Sequence, residues 1–257
     1  MADFSGRLKN APVVYALCQV RFPPVLKIRD MVPDIQESLR NTYEGFEEEQ
    51  ITGIQISTTA SMLNETRWRF ERPDHRAGYV LTNSSLVYHT TAYSDFDEFV
   101  VEVMRGIEAV SSVAKIQRFV RAGVRYVDLI ESNGRDRADS FLHERLRGFV
   151  SELPYVSDAI CQYLSAGKTD IGNLVMRVTI GAHEVALPPD LLPIALTSVR
   201  RPSKESVSVF LDTDHFIEAI DPPITLSEVS ETIKRLKVAI NTAFKRAITQ
   251  EAVDTWK

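Results

Sequence analysis

The sequence has few cysteines and no long hydrophobic run. Two cysteines, Cys18 and Cys161, occur among 257 residues, and both lie in apolar stretches with a strand-like composition. Neither stands at the spacing of a metal site, so they predict buried thiols in the reduced state. No stretch of about 18 apolar residues occurs, and the N-terminus lacks the pattern of a signal peptide. We therefore expect a cytoplasmic protein that does not cross a membrane.

The sequence also lacks an excess of positive charge and a recognisable catalytic motif. Its 30 lysines and arginines are outnumbered by 35 aspartates and glutamates, which gives a net charge of −5 at pH 7. Proteins that bind nucleic acid non-specifically usually carry a basic excess, so the sequence argues against that class. No serine lies in a nucleophile elbow, and the histidines lack zinc-site spacing. These absences favour a non-enzymatic protein without a cofactor.

The chain does contain a pair of related strand-like stretches. Residues 118–131, near the midpoint, are rich in apolar, β-branched and aromatic side chains and predict one long strand. A similar stretch at residues 13–22 lies near the N-terminus, and the motif valine–arginine–aromatic occurs in both, at residues 20–22 and 124–126. Each stretch is followed by a turn and an amphipathic helix. The repetition predicts an internal duplication.

The predicted elements follow the same order in the two halves. In the first half, we predict a strand at 12–22, a helix at 30–43, strands at 51–58, 67–71, 78–81 and 86–91, and a helix at 95–110 with a Ser94–Asp97 capping box. In the second half, we predict a strand at 118–130, a helix at 139–152, strands at 159–164, 173–180, 194–199 and 205–212, and a last helix with a Thr225–Glu228 capping box.

This order of elements predicts an α+β protein. Two copies of a β-α-β4-α unit would form antiparallel sheets with helices packed on one face, in the order of TATA-binding-protein-like or helix-grip folds. The copies would span residues 11–114 and 115–257, and the second would carry an insertion near residues 186–204. No flexible linker separates the copies, so we expect them to share one core.

Arginines form the first candidate site. Arg67 and Arg69 flank Trp68 in a predicted strand, so strand alternation places both on one face and Trp68 on the other. Arg21 and Arg125 would join that face if neighbouring strands align. A row of guanidinium groups can hold a phosphate or an acidic partner in a bidentate manner. The alternative is that cross-strand carboxylates such as Glu71 and Asp128 already neutralise the arginines.

A second candidate site combines two aspartates and a histidine. Asp212 and Asp214 share one face of a predicted strand, and His215 follows directly. Carboxylate oxygens and an imidazole nitrogen are common metal ligands. The alternative is a solvated strand end that leads to the last helix.

Several motifs, in a fixed order, resemble a sporadically distributed family of prokaryotic proteins. The resemblance covers nearly the whole chain, and the matching segments are Ala11-Pro12, residues 20–24, residues 35–37, Trp68-Arg69-Phe70, Tyr93 with the helix after it, residues 124–126, residues 211–214 and residues 244–249. The resemblance implies no established activity. The patchy occurrence of the family suits a mobile or defence-associated role, for example as one partner in a toxin–antitoxin-like system.

We interpret the chain as a binding protein whose partner is another protein, held on a sheet face or in the groove between the halves. Two alternatives stay open. The first is binding of a nucleotide or another small anionic ligand by Arg21, Arg67, Arg69 and Arg125. The second is a metal-dependent enzyme that uses Asp212, Asp214 and His215.

Overall fold

Nine strands pair side by side in one antiparallel sheet. The structure is a computed structural model that describes residue 2 and residues 8–56, 60–131, 137–148, 160–182, 191, 196–197, 200, 207–218 and 221–257. The strands of the large sheet are β1 (Val13–Arg21), β2 (Gly45–Ile56), β3 (Ala60–Glu71), β4 (Ala77–Leu81), β5 (Ser85–Thr90), β7 (Arg121–Glu131), β8 (Cys161–Lys168), β9 (Asn173–Ala182) and β10 (Val207–Glu218). Two short strands, β6 (Arg118–Phe119) and β11 (Ile224–Thr225), pair separately.

The two long strands singled out in the sequence lie at the centre of the sheet. The strand order is β2-β3-β4-β5-β1-β7-β10-β9-β8, so β1 and β7 are neighbours. Strands from the first half of the chain extend to one side of this pair, and strands from the second half extend to the other side. The prediction of an α+β protein built on antiparallel strands is confirmed.

Four helices pack on one face of the sheet, namely α1 (Ile28–Leu39), α2 (Phe96–Ala114), α3 (Val229–Ala247) and α4 (Gln250–Trp256). Alternate residues of β1 (Ala16, Cys18 and Val20) turn towards the helices and are buried. The apolar stripe of α2 meets them, with Val103 and Ile107 each 2% exposed. The largest core cluster combines residues from both halves of the chain.

The helix starts show how local chemistry sets boundaries. The capping box at Thr225 and Glu228 is confirmed. For α2 the predicted box at Ser94 and Asp97 is one residue too early, because the Asp95 side chain accepts a hydrogen bond from the Glu98 backbone N–H at 2.9 Å. Asp95 has the extended backbone of an N-cap.

The predicted helix at 139–152 is wrong in its described part. The chain instead forms two short 3-10 segments, Ala138–Phe141 and Glu144–Leu146. Between them Leu142 is extended and bridges to Ile248, while the His143 N–H donates to the Ala247 carbonyl at 2.7 Å. This pairing with the end of α3 fixes the backbone outside the helical region. Residues 149–152 lie outside the described residues.

Other predictions on the second half are also limited or corrected. Most of the predicted strand at 194–199 lies outside the described residues, and its two described members, Leu196 and Thr197, are not in a strand. Both cysteines are free, but Cys161 is only half-buried, whereas Cys18 is buried as predicted.

No helix of the described residues has the length and apolarity needed to cross a membrane.

The face of the sheet away from the helices carries the candidate site. At one end Leu191 and Leu196 pack on Tyr15, Val127 and Phe210. The Arg200 guanidinium donates there to the carbonyls of Ala11 and Leu129. The rest of this face, over β3, β4, β5, β1 and β7, forms a cleft.

Candidate functional site

The structure brings the four predicted arginines together in one cleft. Arg21 on β1, Arg67 and Arg69 on β3, and Arg125 on β7 all line a cavity of about 430 Å³ on the helix-free face. A fifth arginine, Arg121 on β7, lines it as well. We call this cavity the arginine cleft. Its floor is largely uncharged and consists of Leu17, Gln19, Val80, Val87 and Gly123.

Strand alternation explains why these side chains meet. On β3, Arg67 and Arg69 point into the cleft, while Trp68 and Phe70 are buried in the helix-side core, as the sequence predicts. On β7 the same alternation turns Arg121 and Arg125 into the cleft. Sequence reasoning missed Arg121, although its position four residues before Arg125 on one strand carried the signal.

Carboxylates surround the arginines at the β3 end of the cleft. The Arg69 guanidinium forms ion pairs with Glu47, with Glu49 at 2.5 Å and with Glu71 at 3.3 Å. Arg67 pairs with Glu65 at 2.8 Å. Four carboxylates therefore face two guanidinium groups here, and this end of the cleft carries a negative excess.

Arg125 has a different environment, because its pairing is buried. Its Nε and one terminal nitrogen donate to the two carboxylate oxygens of Asp212 at 2.6 and 2.8 Å. Asp212 also accepts a hydrogen bond from Arg177 at 3.0 Å. Asp128, which the sequence suggested as a neutralising partner, lies on the helix side of β7 instead. Arg125 is therefore held in place by Asp212 from the next strand.

Arg21 and Arg121 lie together at the other end of the cleft. They are directly opposite each other in the β1–β7 register, and like charges in that position repel. Arg121 stacks on the Phe216 ring at 4.1 Å and reaches Glu218 at 3.8 Å. Burial lowers the pKa of Arg121; the carboxylates of Asp214 and Glu218 oppose this shift, and the positive charge of Arg21 adds to it. Among the described residues no carboxylate forms an ion pair with the exposed Arg21.

A buried tyrosine–histidine pair also lines the cleft. The Tyr15 hydroxyl and His89 Nδ1 are hydrogen-bonded at 2.9 Å, and His89 Nε2 is buried without a hydrogen-bond partner in the described structure. Burial lowers the pKa of His89 to about 4, and the charge of Arg69 contributes. The imidazole is therefore neutral at physiological pH. Neither residue carried a sequence signal.

The predicted metal ligands do not converge. Asp214 lines the arginine cleft, and Asp212 lies on the same face but is occupied by two arginines. His215 points to the helix side, where Nδ1 donates to the Leu236 carbonyl at 2.8 Å and Nε2 accepts from the Thr169 hydroxyl at 2.9 Å. Within the described ranges, no three His, Cys, Asp or Glu side chains are grouped as metal ligands.

Comparisons with known proteins add no identification. No protein-family model matches the chain, and no curated protein sequence is significantly similar to it. The resemblance drawn from the ordered motifs stays a prediction.

Proposed function

We propose that this protein binds a small anionic ligand, such as a nucleotide, in the arginine cleft. The observation that carries the proposal is the direct juxtaposition of Arg21 and Arg121, of which Arg121 is opposed by Glu218 and Asp214 while Arg21 has no ion-pair partner among the described residues. Two adjacent guanidinium groups present a fork of donors that matches the oxygens of a phosphate or carboxylate. A bound anion would also remove the repulsion between them.

The shape of the cleft supports a ligand larger than a single ion. Its volume of about 430 Å³ lies in the range of small-molecule sites. The carboxylates Glu49 and Glu65 line the opposite end, where they would accept hydrogen bonds from hydroxyl or amino groups of a ligand in addition to those from Arg69 and Arg67. A molecule with an anionic group at one end and donors at the other complements both ends, and a nucleotide has this character.

Calorimetric titration with inorganic pyrophosphate, adenosine diphosphate and adenosine tests the proposal. We expect the two anions to bind and adenosine to bind much more weakly, with an affinity for the anions that falls as salt screens the arginines. Arg21→Ala combined with Arg121→Ala should weaken anion binding by about 10- to 100-fold, since hydrogen bonds to charged groups are the stronger ones.

The matched control is Arg235→Ala, because Arg235 is exposed on α3 on the opposite side of the sheet. It should bind the anions as the wild type does. Equal affinity for adenosine and adenosine diphosphate would contradict an anion site, and so would unchanged binding by the double variant.

The geometry does not test the interpretation of a protein partner, and it gives no support to the interpretation of a metal-dependent enzyme. Partnership with another protein, including one in a toxin–antitoxin-like pair, stays a prediction. A metal-dependent enzyme at Asp212, Asp214 and His215 gains no support, because His215 lies on the other face of the sheet from the two aspartates.

We also infer that the halves 11–114 and 115–257 descend from a duplicated unit. The support is positional: β1 and β7 are neighbours at the sheet centre, and each half ends its strand series with a long helix, α2 or α3. In the described residues the second half departs from the β-α-β4-α pattern, since 3-10 segments stand where α1 stands in the first half.

A further inference from the structure

A second cavity lies on the helix side of the sheet and is separate from the arginine cleft. It has a volume of about 260 Å³ and sits between the first turn of α2, the middle of α3 and the sheet. Its polar end is formed by Tyr126 and Asp128 on β7, Thr213 on β10 and Lys237 on α3. We call it the lysine pocket. Its walls are mostly apolar and include Pro12, Val13, Tyr93, Phe96, Ile240 and Phe244, and the polar residues Ser94, Asp95 and Asn241 also line the pocket.

Three buried polar atoms in the lysine pocket lack hydrogen-bond partners. Tyr126, Asp128 and Thr213 are 2%, 3% and 1% exposed, yet the Tyr126 hydroxyl oxygen, Asp128 Oδ1 and Thr213 Oγ1 have no partner in the described structure. Buried polar groups are nearly always hydrogen-bonded, because leaving one unpaired costs free energy. Three such atoms on residues that line a single cavity therefore point to a ligand that supplies missing hydrogen bonds.

Lys237 completes the polar end from the other side. Its ammonium lies 3.6 Å from the centre of the Tyr126 ring and 5.8 Å from those of Tyr93 and Phe96. Burial lowers the pKa of Lys237 to about 8, and the nearby Asp128 opposes the shift. No ion pair joins Lys237 and Asp128 in the described part of the chain. The ammonium of Lys237 and the carboxyl group of Asp128 thus both line the pocket without forming an ion pair with each other.

We propose that the lysine pocket binds a small, uncharged molecule with an apolar body and one head group that both donates and accepts a hydrogen bond, such as an amide. The head group would donate to Asp128 Oδ1 and accept from the Lys237 ammonium and the Thr213 hydroxyl. Between about pH 7 and 8, where Asp128 is mostly ionised and Lys237 mostly protonated, an anion would be repelled by Asp128 and a cation would be repelled by Lys237, so the binding experiments are done in this range. The modest volume limits the body to about one ring.

A series of probes with the same ring separates these cases. Benzamide, benzoate, benzylamine and toluene present a neutral amide, an anion, a cation and no polar head, respectively. We expect saturation-transfer NMR with the full chain to detect benzamide, and titration to give an affinity at least about tenfold above that of each other probe. Thr213→Val should weaken benzamide binding by about fivefold, because one hydrogen bond is lost.

Variants on one helix locate the binding. Asn241 is exposed at the mouth of the pocket, so Asn241→Trp should block benzamide without disturbing the core. Val238 on the same helix is 65% exposed and does not line the pocket, so Val238→Trp is the matched control and should bind benzamide normally. The double variant at Arg21 and Arg121 should also bind it normally, which keeps this inference separate from the arginine cleft.

Three results would overturn the proposal. Equal binding of benzamide and toluene would show a merely apolar cavity. Failure of every probe to bind at millimolar concentration would show that the pocket takes no ligand of this class. Undiminished benzamide binding by Asn241→Trp would place the site elsewhere.

Discussion

The charge of Asp128 is set by its burial. The carboxyl is 3% exposed, and burial raises its pKa from 3.8 to about 7, although Lys237 and Arg200 oppose the shift. A carboxyl whose pKa is higher in the folded than in the unfolded state favours folding most when it is protonated. Its contribution to stability is therefore fully present below about pH 4 and is lost as the pH rises through about 7.

Asp128→Asn tests this pH dependence. The asparagine cannot ionise, so the variant should be more stable than the wild type at pH 8, by a few kcal/mol in order of magnitude, and the difference should shrink towards pH 5. Urea unfolding at the two pH values measures it. Asp34→Asn, at an exposed position on α1, is the control. The difference in unfolding free energy between this variant and the wild type should be the same at both pH values. A pH-independent effect of Asp128→Asn would show that this carboxyl does not titrate in the range.

Sequence patterns predicted which way the arginines point but not which charges remain unpaired. Strand alternation alone places Arg67 and Arg69 on the face opposite Trp68. The neutralisation of Arg69 depends on the β2–β3 register, which sets Glu47 directly opposite it. The repulsion between Arg21 and Arg121 depends in the same way on the β1–β7 register. Register is a tertiary property, so the juxtaposition of Arg21 and Arg121 became visible only in the structure.

At the scale of elements, the packing of α2 depends on the buried apolar residues along one side of the helix. Val103 is 2% exposed and packs in the main core, whereas Val101 on the same helix is 58% exposed. Val103→Asp would place an unpaired charge in that core and should cost several kcal/mol of unfolding free energy. Val101→Asp makes the same chemical change in solvent and should stay within about 0.5 kcal/mol. Equal denaturation midpoints for the two variants would show that the apolar stripe of α2 does not pack against the core.

The prediction of helices succeeded where the apolar periodicity of a segment matches its burial on the sheet. It failed where the backbone of a segment pairs with a distant part of the chain. The 3.6-residue stripes of α2 and α3 reflect their burial on the sheet. The segment after β7 also has helix-like spacing at Leu142 and Leu146, yet the Leu142–Ile248 bridge holds it extended. Its partner lies more than 100 residues away in the sequence, so no local pattern contains that information.

At the scale of the whole molecule, the two halves contribute to the same cores. The main cluster joins β1 and α2 of the first half with β7 and α3 of the second. The N-terminal residues Ala2 and Leu8 belong to a second cluster, which also contains residues of β7, β10 and α4. The Asn10 N–H also donates to the carbonyl of Trp256 at 2.9 Å. A boundary near residue 114 therefore divides the sequence but does not divide the packing, and we expect the chain to unfold in one cooperative step.

The two tryptophans of the chain allow that expectation to be measured. Trp68 is 3% exposed in the main core, and Trp256 is 8% exposed in the cluster around α4. Trp256→Phe leaves a reporter in the first half, and Trp68→Phe leaves one in the second. Within each variant, the midpoint of urea unfolding followed by tryptophan fluorescence should coincide with the midpoint followed by far-ultraviolet circular dichroism, because one transition melts the shared core. Because the two midpoints are compared within one variant, an effect of the substitution on stability shifts both of them equally. If fluorescence and dichroism give different midpoints in either variant, the halves unfold separately and the shared core does not couple them.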